Sequence, residues 1–225
     1  MEENHQETFF FCSRATECAN QTHALYRSCI TQRRRGRTVP ILNSESSENE
    51  GLTHAARLML LSARTAPKSG GIDDVLTAIV LGKEKQSLAD EMDKIGEERK
   101  ITGFKRDAKN VRDSAAAVLI GVRGTRSFNL NCGACGYSTC NEFDEAEKRT
   151  SNDFTGPNCV FKALDLGIAI GSAAKIASML NVDNRVMYRL GTAAIRLKLL
   201  PEASVIMGIP ISARGKSIYF DRPAQ

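Results

Sequence analysis

A group of four cysteines constrains the fold of this chain more than any other sequence feature. Cys132, Cys135 and Cys140 lie close together, and Cys159 follows after a longer interval, which gives the spacing C-x2-C-x4-C-x18-C. Four cysteine thiolates can hold a 4Fe–4S cluster, and three close ligands with one distant ligand are common in such sites. The spacing therefore predicts one 4Fe–4S cluster bound by these four residues.

The residues around the cysteines suit this prediction. Gly133 and Gly136 permit positive φ and a close approach of the backbone, so that backbone N–H groups can point at the sulfurs. The polar stretch 141–149 has the composition of a helix. Cys140 is therefore expected near a helix N-terminus, where the helix dipole favours a thiolate.

Other uses of the four cysteines compete with this one. Buried structural cysteines are disfavoured because the surrounding segment is polar and glycine-rich, and a disulfide pair is disfavoured because no secretory signal is visible. Zinc with four cysteine ligands stays open as an alternative, since such sites also use C-x2-C pairs. Against zinc, the chain lacks the second close pair of a zinc ribbon, and no histidine follows His54.

The composition is that of a globular domain and excludes several function classes. Of the 225 residues, 42% are hydrophobic and 25% are charged, which is enough to build a core without disulfide bonds. No apolar run reaches the ~18 residues of a transmembrane helix, so no membrane association is expected. Aromatic residues make up 6%, and the basic residues behind the net charge of +5 are scattered, so nucleic acid is not expected as a partner. The odd count of seven cysteines and the lack of a signal peptide predict a cytoplasmic location.

The polar and apolar patterns divide the chain into two parts. Residues 1–50 lack apolar periodicity and include an acidic, serine-rich stretch, so they are expected to form a disordered or loosely ordered leader. Residues 51–225 are expected to form a single α/β domain, with the cysteine segment 123–160 inserted in it. Three further cysteines lie in the leader at spacings that fit no metal site: Cys12, Cys18 and Cys29.

Within the domain, helical and strand patterns alternate. Apolar periodicity predicts helices over 51–64, 83–99, 104–115, 164–180 and 185–200. Short apolar runs predict strands over 75–81, 116–122 and 204–209. The second of these runs is apolar throughout, as in a strand that is buried on both faces. Asp73 and Asp165 are expected to cap helices. The alternation predicts a layered α/β or α+β fold.

The cysteine segment resembles a known iron–sulfur domain. The string Cys-Gly-Ala-Cys-Gly-Tyr-Ser-Thr-Cys over 132–140 is similar to the 4Fe–4S domain in the B subunit of Rnf electron-transport complexes. It is similar as well to the corresponding domain of the large corrinoid iron–sulfur protein. Cys159 matches the fourth ligand of that domain. This resemblance implies a 4Fe–4S cluster on the four cysteines.

The resemblance continues on both sides of the cysteine segment. The stretches 62–68, 165–173 and 208–212 resemble an uncharacterised prokaryotic family described as containing a ferredoxin domain. The likeness covers about residues 40–225. It implies a cluster-binding protein but no particular reaction.

A weaker resemblance is to nitroreductases, in which a Ser-x-Arg at the end of an N-terminal helix grips the FMN phosphate. Ser62-x-Arg64 matches that motif, Lys68 lies close by, and Arg214 and Lys216 stand where that fold has further basic residues. This resemblance implies nitroreductase-like layering and FMN held by Ser62, Arg64 and Lys68. A homodimer stays open as the assembly of the chain. The alternative role for Arg64 is to interact with a helix C-terminus.

The function expected from these features is one-electron transfer through the cluster. Two forms of it stay open: an iron–sulfur oxidoreductase that uses FMN, and a non-catalytic electron carrier or redox-responsive binding module. Either form requires a redox partner protein. Because four cysteines would occupy all four corners of the cluster, substrate chemistry at iron itself is not expected.

Overall fold

The computed structural model describes residues 42–220. Its first helix begins at Ser44, because the side chain of Asn43 accepts a hydrogen bond of 2.8 Å from the backbone N–H of Ser46 and caps the helix. Residues 44–50 are therefore helical, and the prediction that they belong to a loosely ordered leader is wrong. The remainder of the predicted leader, with Cys12, Cys18 and Cys29, lies outside the described residues.

The described residues form six α-helices and six strands, joined by turns. The helices are α1 (Ser44–Thr65), α2 (Gly82–Arg99), α3 (Thr102–Asp113), α4 (Cys140–Glu145), α5 (Val160–Met179) and α6 (Tyr188–Arg196). The strands are β1 (Val75–Val80), β2 (Ala116–Val122), β3 (Arg149–Thr150), β4 (Thr155–Gly156), β5 (Asp183–Asn184) and β6 (Val205–Ser212). A 3-10 turn, Ser69–Gly71, follows α1.

The main sheet has the strand order β1-β2-β6-β5, and its neighbouring strands are antiparallel. Every residue of β2 is buried, which confirms the strand predicted from the apolar run over 116–122. Helices cover both faces of this sheet, so its central strand is apolar on both faces although its neighbours are antiparallel.

Two apolar clusters, one on each face of the sheet, form the core. Leu88, Phe104 and Leu190, from α2, α3 and α6 respectively, pack on one face. Met59 and Leu166, from α1 and α5, pack on the other face. The result is a three-layer arrangement of helices, sheet and helices, which confirms the predicted α/β (α+β) class.

Helix α6 is shorter than predicted. Met187 is extended, and it exchanges two backbone hydrogen bonds, of 2.7 and 3.0 Å, with Gly208 of β6. The helix therefore begins at Tyr188 rather than at 185. It ends at Arg196, and Lys198 follows with a φ of +53°.

The predicted capping roles of Asp73 and Asp165 are wrong. Asp73 accepts a hydrogen bond of 3.2 Å from the backbone N–H of Val75, just before β1, where no helix begins. Asp165 lies inside α5, which begins at Val160 rather than at 164, and it is buried. Its Oδ1 accepts hydrogen bonds of 2.9 Å from the backbone N–H and the hydroxyl of Ser69, so it ties α5 to the turn after α1.

The cysteine segment joins the end of β2 to the start of α5. It contains the short helix α4 and a small hairpin made of β3 and β4. The hairpin attaches to the domain through a backbone hydrogen bond of 2.9 Å from Thr155 to the carbonyl of Ser204.

Candidate metal centre

The structure brings all four predicted cysteines to one cavity, between the loop that precedes α4 and the first turn of α5. Cys132 is exposed, Cys135 and Cys140 are half-buried, and Cys159 is buried. All four are free thiols. The cysteines that line the cavity therefore range from an exposed thiol to a buried one.

A tight turn positions Cys132 and Cys135. Gly133 and Gly136 have φ values of +71° and +89°, and the N–H of Gly136 donates a hydrogen bond of 3.0 Å to the carbonyl of Gly133. Residues other than glycine are strained in this left-handed region of backbone conformation. The turn confirms the positive φ values predicted for the two glycines.

Cys140 is the first residue of α4, as predicted. Its backbone N–H donates to Oδ1 of Asn131 at 2.7 Å, and the backbone N–H of Asn131 donates to its Sγ at 3.3 Å. The hydroxyl of Thr139 accepts a hydrogen bond of 3.2 Å from Glu142 N–H and so caps the helix. The N–H to sulfur contact is of the kind that stabilises a ligating thiolate.

Cys159 is held by the end of the main sheet. Its backbone N–H donates a hydrogen bond of 2.8 Å to the carbonyl of Gly124, and Gly124 N–H donates in turn to the hydroxyl of Ser204 at 2.9 Å. The same hydroxyl donates to Oδ1 of Asn158 at 2.6 Å. The fourth thiol thus has a fixed position relative to β2 and β6, although it is remote in sequence from the other three.

Aromatic rings form much of the cavity wall. Phe128 stacks on Phe161 with ring centres 5.6 Å apart, and Tyr137 meets Phe143 edge to face at 5.8 Å. Lys148 Nζ lies 4.1 Å from the centre of the Phe143 ring. An apolar wall limits the access of water to a bound group, and hence affects its reduction potential.

The donor set decides which groups these residues can hold. Four cysteine thiols, without histidine or carboxylate, fit either an iron–sulfur cluster or a four-cysteine zinc site. Across residues 42–220, no three His, Cys, Asp or Glu side chains form a group placed to hold a metal ion. The four thiols are arranged around the walls of a cavity.

The residues predicted to hold FMN phosphate are each engaged within the protein. Ser62 Oγ donates to the carbonyl of Ser172 at 3.0 Å, and Lys68 donates to the carbonyls of Ala63 and Arg64. Arg64 donates to the carbonyl of Val75 at 2.9 Å and also pairs with Asp73.

The pair of Arg64 and Asp73 has a clear electrostatic effect. Burial opposes the ionisation of Asp73, but hydrogen bonds from Arg64 and from the backbone of Val75 outweigh it, and the pKa of the carboxyl is lowered. Both side chains are more than a third exposed, so the pair adds no more than about 1 kcal/mol to stability. Arg214, another residue of the nitroreductase resemblance, donates to the carbonyl of Asp113 at 3.0 Å.

Sequence reasoning missed a buried ion pair beside the cavity. Lys162 Nζ lies 2.6 Å from Oδ2 of Asp74, and both residues are buried. The available signal was a lysine in the first turn of α5, a helix that is otherwise nearly all apolar. Its partner was not foreseeable, because Asp74 precedes it by most of the domain.

Comparison with solved structures finds chains of nitroreductase type. A nitroreductase-like family protein from Bacillus cereus has a TM-score of 0.48 at 10% identity, with 76% of this chain and 79% of that chain covered. An NADPH:FMN oxidoreductase from Vibrio harveyi has a TM-score of 0.44 at 14% identity, with 81% of this chain and 65% of that chain covered. At these TM-scores and identities, neither protein assigns an activity or a cofactor to this chain.

No helix within residues 42–220 combines the length and the apolar character needed to cross a membrane.

Comparison of sequences identifies the family. A protein from Archaeoglobus fulgidus, described as uncharacterized, is 48% identical over 182 residues, which cover 81% of this chain and 97% of that protein. A family model with the description "uncharacterized protein containing a ferredoxin domain (DUF2148)" matches residues 155–222. The chain belongs to this family of ferredoxin-domain proteins.

Proposed function

We propose that this protein binds a 4Fe–4S cluster through Cys132, Cys135, Cys140 and Cys159 and uses it to transfer electrons. The observation that carries the proposal is that the four thiols of the sequence motif line one cavity, although Cys159 is remote in sequence from the others. The ferredoxin domain in the family description supports iron over zinc. When bound, such a cluster accepts and releases one electron.

The residues around the cysteines have separate roles in this proposal. Asn131 holds Cys140 through two hydrogen bonds and donates one of them to sulfur, which favours the thiolate form. Phe128 and Phe161 exclude water from one side of the cavity. The exposed Cys132 lies at the protein surface, where a redox partner protein can approach.

Replacement of one ligand tests the proposal. Cys135→Ser removes one of the four thiolates, whereas Cys18→Ser leaves all four in place and serves as the control. After anaerobic purification, we expect about four irons and four acid-labile sulfides per chain in the wild type and in Cys18→Ser, and almost none in Cys135→Ser. Zinc in place of iron, or loss of iron in Cys18→Ser, would show that the proposed ligand set is wrong.

A second candidate is that the cluster exchanges electrons with FMN held near Ser62, Arg64 and Lys68. The turn after Lys68 supports it, because this turn contacts the cavity wall so closely that a Cβ on Gly70 would lie 2.6 Å from the ring of Phe128. A flavin at this turn would therefore lie beside the cysteine cavity. Release of Arg64 from its exposed pair with Asp73 costs no more than about 1 kcal/mol.

The flavin content of a single variant tests this second candidate. Arg64→Ala is expected to keep its iron but to lose bound FMN, and the measurement is flavin released on denaturation per mole of iron. Equal flavin content in the variant and the wild type would exclude Arg64 as a phosphate ligand. A cluster with no flavin in either protein would favour the electron carrier over the oxidoreductase.

We further propose that the protein forms a homodimer through the outer face of α1 and α5. Leu58, Leu61, Met179 and Leu180 are exposed on this face and line an apolar groove. Exposed apolar side chains gathered in one groove are a feature of protein–protein contact sites. Sedimentation is expected to show a dimer for the wild type and for Leu130→Glu, and a monomer for Leu61→Glu. A monomeric wild type would exclude the dimer.

A further inference from the structure

Lys162 is a fully buried lysine close to the cysteine cavity. It lies in the first turn of α5, three residues after Cys159, and its relative exposure is 0%. Its Nζ is 2.6 Å from Oδ2 of Asp74, and within the described residues it has no well-aligned hydrogen bond. Burial of an ion pair costs several kcal/mol in lost hydration, so stability alone does not require a charge at this position.

The ammonium group lies one aromatic ring away from the cavity. Nζ is 5.4 Å from the centre of the Phe128 ring, and Phe128 lines the cavity together with the four cysteines. Phe161, which precedes Lys162, stacks on the same ring and lines the same cavity. Lys162 itself is behind this wall.

Two carboxylates accompany the ammonium group. Asp74 is its ion-pair partner, and Asp165 lies one turn further along α5, with Oδ1 bound to Ser69 and Oδ2 buried without a partner among residues 42–220. The ammonium lies over the ring of the wall residue Phe128, 5.4 Å from its centre. An apolar ring, rather than water, therefore separates its charge from the cavity. Screening of the charge is weak across such a ring.

We infer that Lys162 is an electrostatic tuning residue, whose buried positive charge raises the reduction potential of the group held by the four cysteines. This inference rests on the proposed function. Uptake of one electron from a donor makes the site more negative by one charge, and a fixed positive charge stabilises that reduced state over the oxidised state. An apolar side chain at position 162 would fill the space without this effect.

A redox titration of the anaerobically purified full chain tests the inference. Dithionite supplies the electrons, and the reduced fraction is followed by electron paramagnetic resonance in the wild type, Lys162→Met and Lys162→Arg. At the wild-type midpoint potential, we expect the ratio of reduced to oxidised protein to fall about tenfold in Lys162→Met, which is 59 mV for a one-electron couple. In Lys162→Arg, which keeps the charge, we expect the ratio to stay within about twofold.

Lys162→Met leaves the Asp74 carboxylate buried without its partner, and this variant can unfold for that reason. A double variant then provides the test. Lys162→Met combined with Asp74→Leu replaces the ion pair by apolar side chains, a change that proteins often tolerate. The midpoint is expected below that of the wild type, but by less than in Lys162→Met, because the negative charge of Asp74 is removed as well. A wild-type midpoint in either variant, with full iron content, would overturn the inference.

The remaining outcomes separate this inference from the proposed function. If neither Lys162→Met variant retains iron and Lys162→Arg does, the charge serves assembly of the site rather than its potential, and the inference is wrong. If the wild type itself contains no iron, the proposed function fails. If all variants hold iron with one common midpoint, only the role of Lys162 is refuted.

Discussion

The helix-covered sheet and the cysteine segment of residues 123–160 are stabilised in different ways. In the sheet region, every residue of β2 is buried and an apolar cluster packs on each face. In the segment, the buried residues are Gly124, Phe143 and Cys159. Burial of apolar surface is the main favourable contribution to folding. Because the segment buries few residues, this contribution is small there.

Polar contacts take the place of a core in the segment. Asp144 accepts hydrogen bonds of 2.9 and 2.6 Å from the backbone and hydroxyl of Ser127, and Glu142 accepts one of 3.0 Å from the backbone of Ser138. Each of these contacts is exposed, so its net contribution is small. A group bound by the four cysteine side chains would therefore contribute most of the stability of the segment. The comparison teaches that burial stabilises the sheet region, whereas the segment has little burial of its own and would gain most from the proposed cluster.

The largest expected effect is in the sheet region. Phe104 of α3 is completely buried in the apolar cluster with α2, α6 and β2, so Phe104→Ala removes a large apolar group and leaves a cavity. We expect a loss of about 3–5 kcal/mol in the free energy of unfolding, measured by urea denaturation. Leu130→Ala, at an exposed leucine of the segment, is expected to cost less than about 0.5 kcal/mol. Equal losses would contradict the comparison.

Removal of iron with a chelator is expected to act on the segment alone. Amide hydrogen exchange over residues 125–158 should speed up by about 100-fold, because a region without a core opens locally once its ligand is gone. Exchange in β2 should change by less than about twofold. A uniform increase over both regions would show that the cluster stabilises the whole domain.

The stability of the sheet region should also depend on alkaline pH through Tyr219. Burial raises the pKa of Tyr219 to about 12, although its hydrogen bond to Ser114 acts in the opposite direction. The unfolded chain loses this proton near pH 10, so the stabilisation is complete below about pH 10 and is lost as the pH rises to about 12.

A phenylalanine in place of this tyrosine isolates the effect. The contribution of Tyr219 is up to about 3 kcal/mol, from a pKa difference of about two units. The free energy of unfolding of Tyr219→Phe should therefore fall less steeply than that of the wild type between pH 10 and 12. Parallel curves for the two proteins would exclude Tyr219 as the source.

The smallest expected effect concerns the cap of α4. Thr139→Ala removes the hydroxyl that accepts from Glu142 N–H, which costs about 1 kcal/mol at the helix end. Because the loss is local to the segment, release of iron to a chelator should be about fivefold faster, with no change in global unfolding. Thr139→Ser keeps a capping hydroxyl and should release iron at the wild-type rate. Equal rates for the alanine and serine variants would exclude the cap.

Local sequence patterns were sufficient to predict much of the sheet region and one part of the site. The apolar run over 116–122 predicted β2, and the glycines between the cysteines predicted a turn with positive φ. Cys140 was correctly predicted at a helix N-terminus from the polar stretch that follows it. Each of these features is set by residues close together in the chain.

Contacts between distant residues account for what was missed. The start of α6 at Tyr188 depends on the pairing of Met187 with Gly208 in another strand. Arg64 has Asp73 as its partner only because the chain turns back after α1. The pair of Lys162 and Asp74 forms only when α5 packs beside β1. Neither periodicity nor motif spacing contains this information.

Native mass spectrometry of the anaerobically purified chain tests the central claim most directly, because it measures the mass of the group bound to the four cysteines. The wild type is expected to have the added mass of four irons and four sulfides, and Cys159→Ser is expected to lack it. An added mass of zinc on the wild type, or an iron–sulfur mass that persists in Cys159→Ser, would contradict the account.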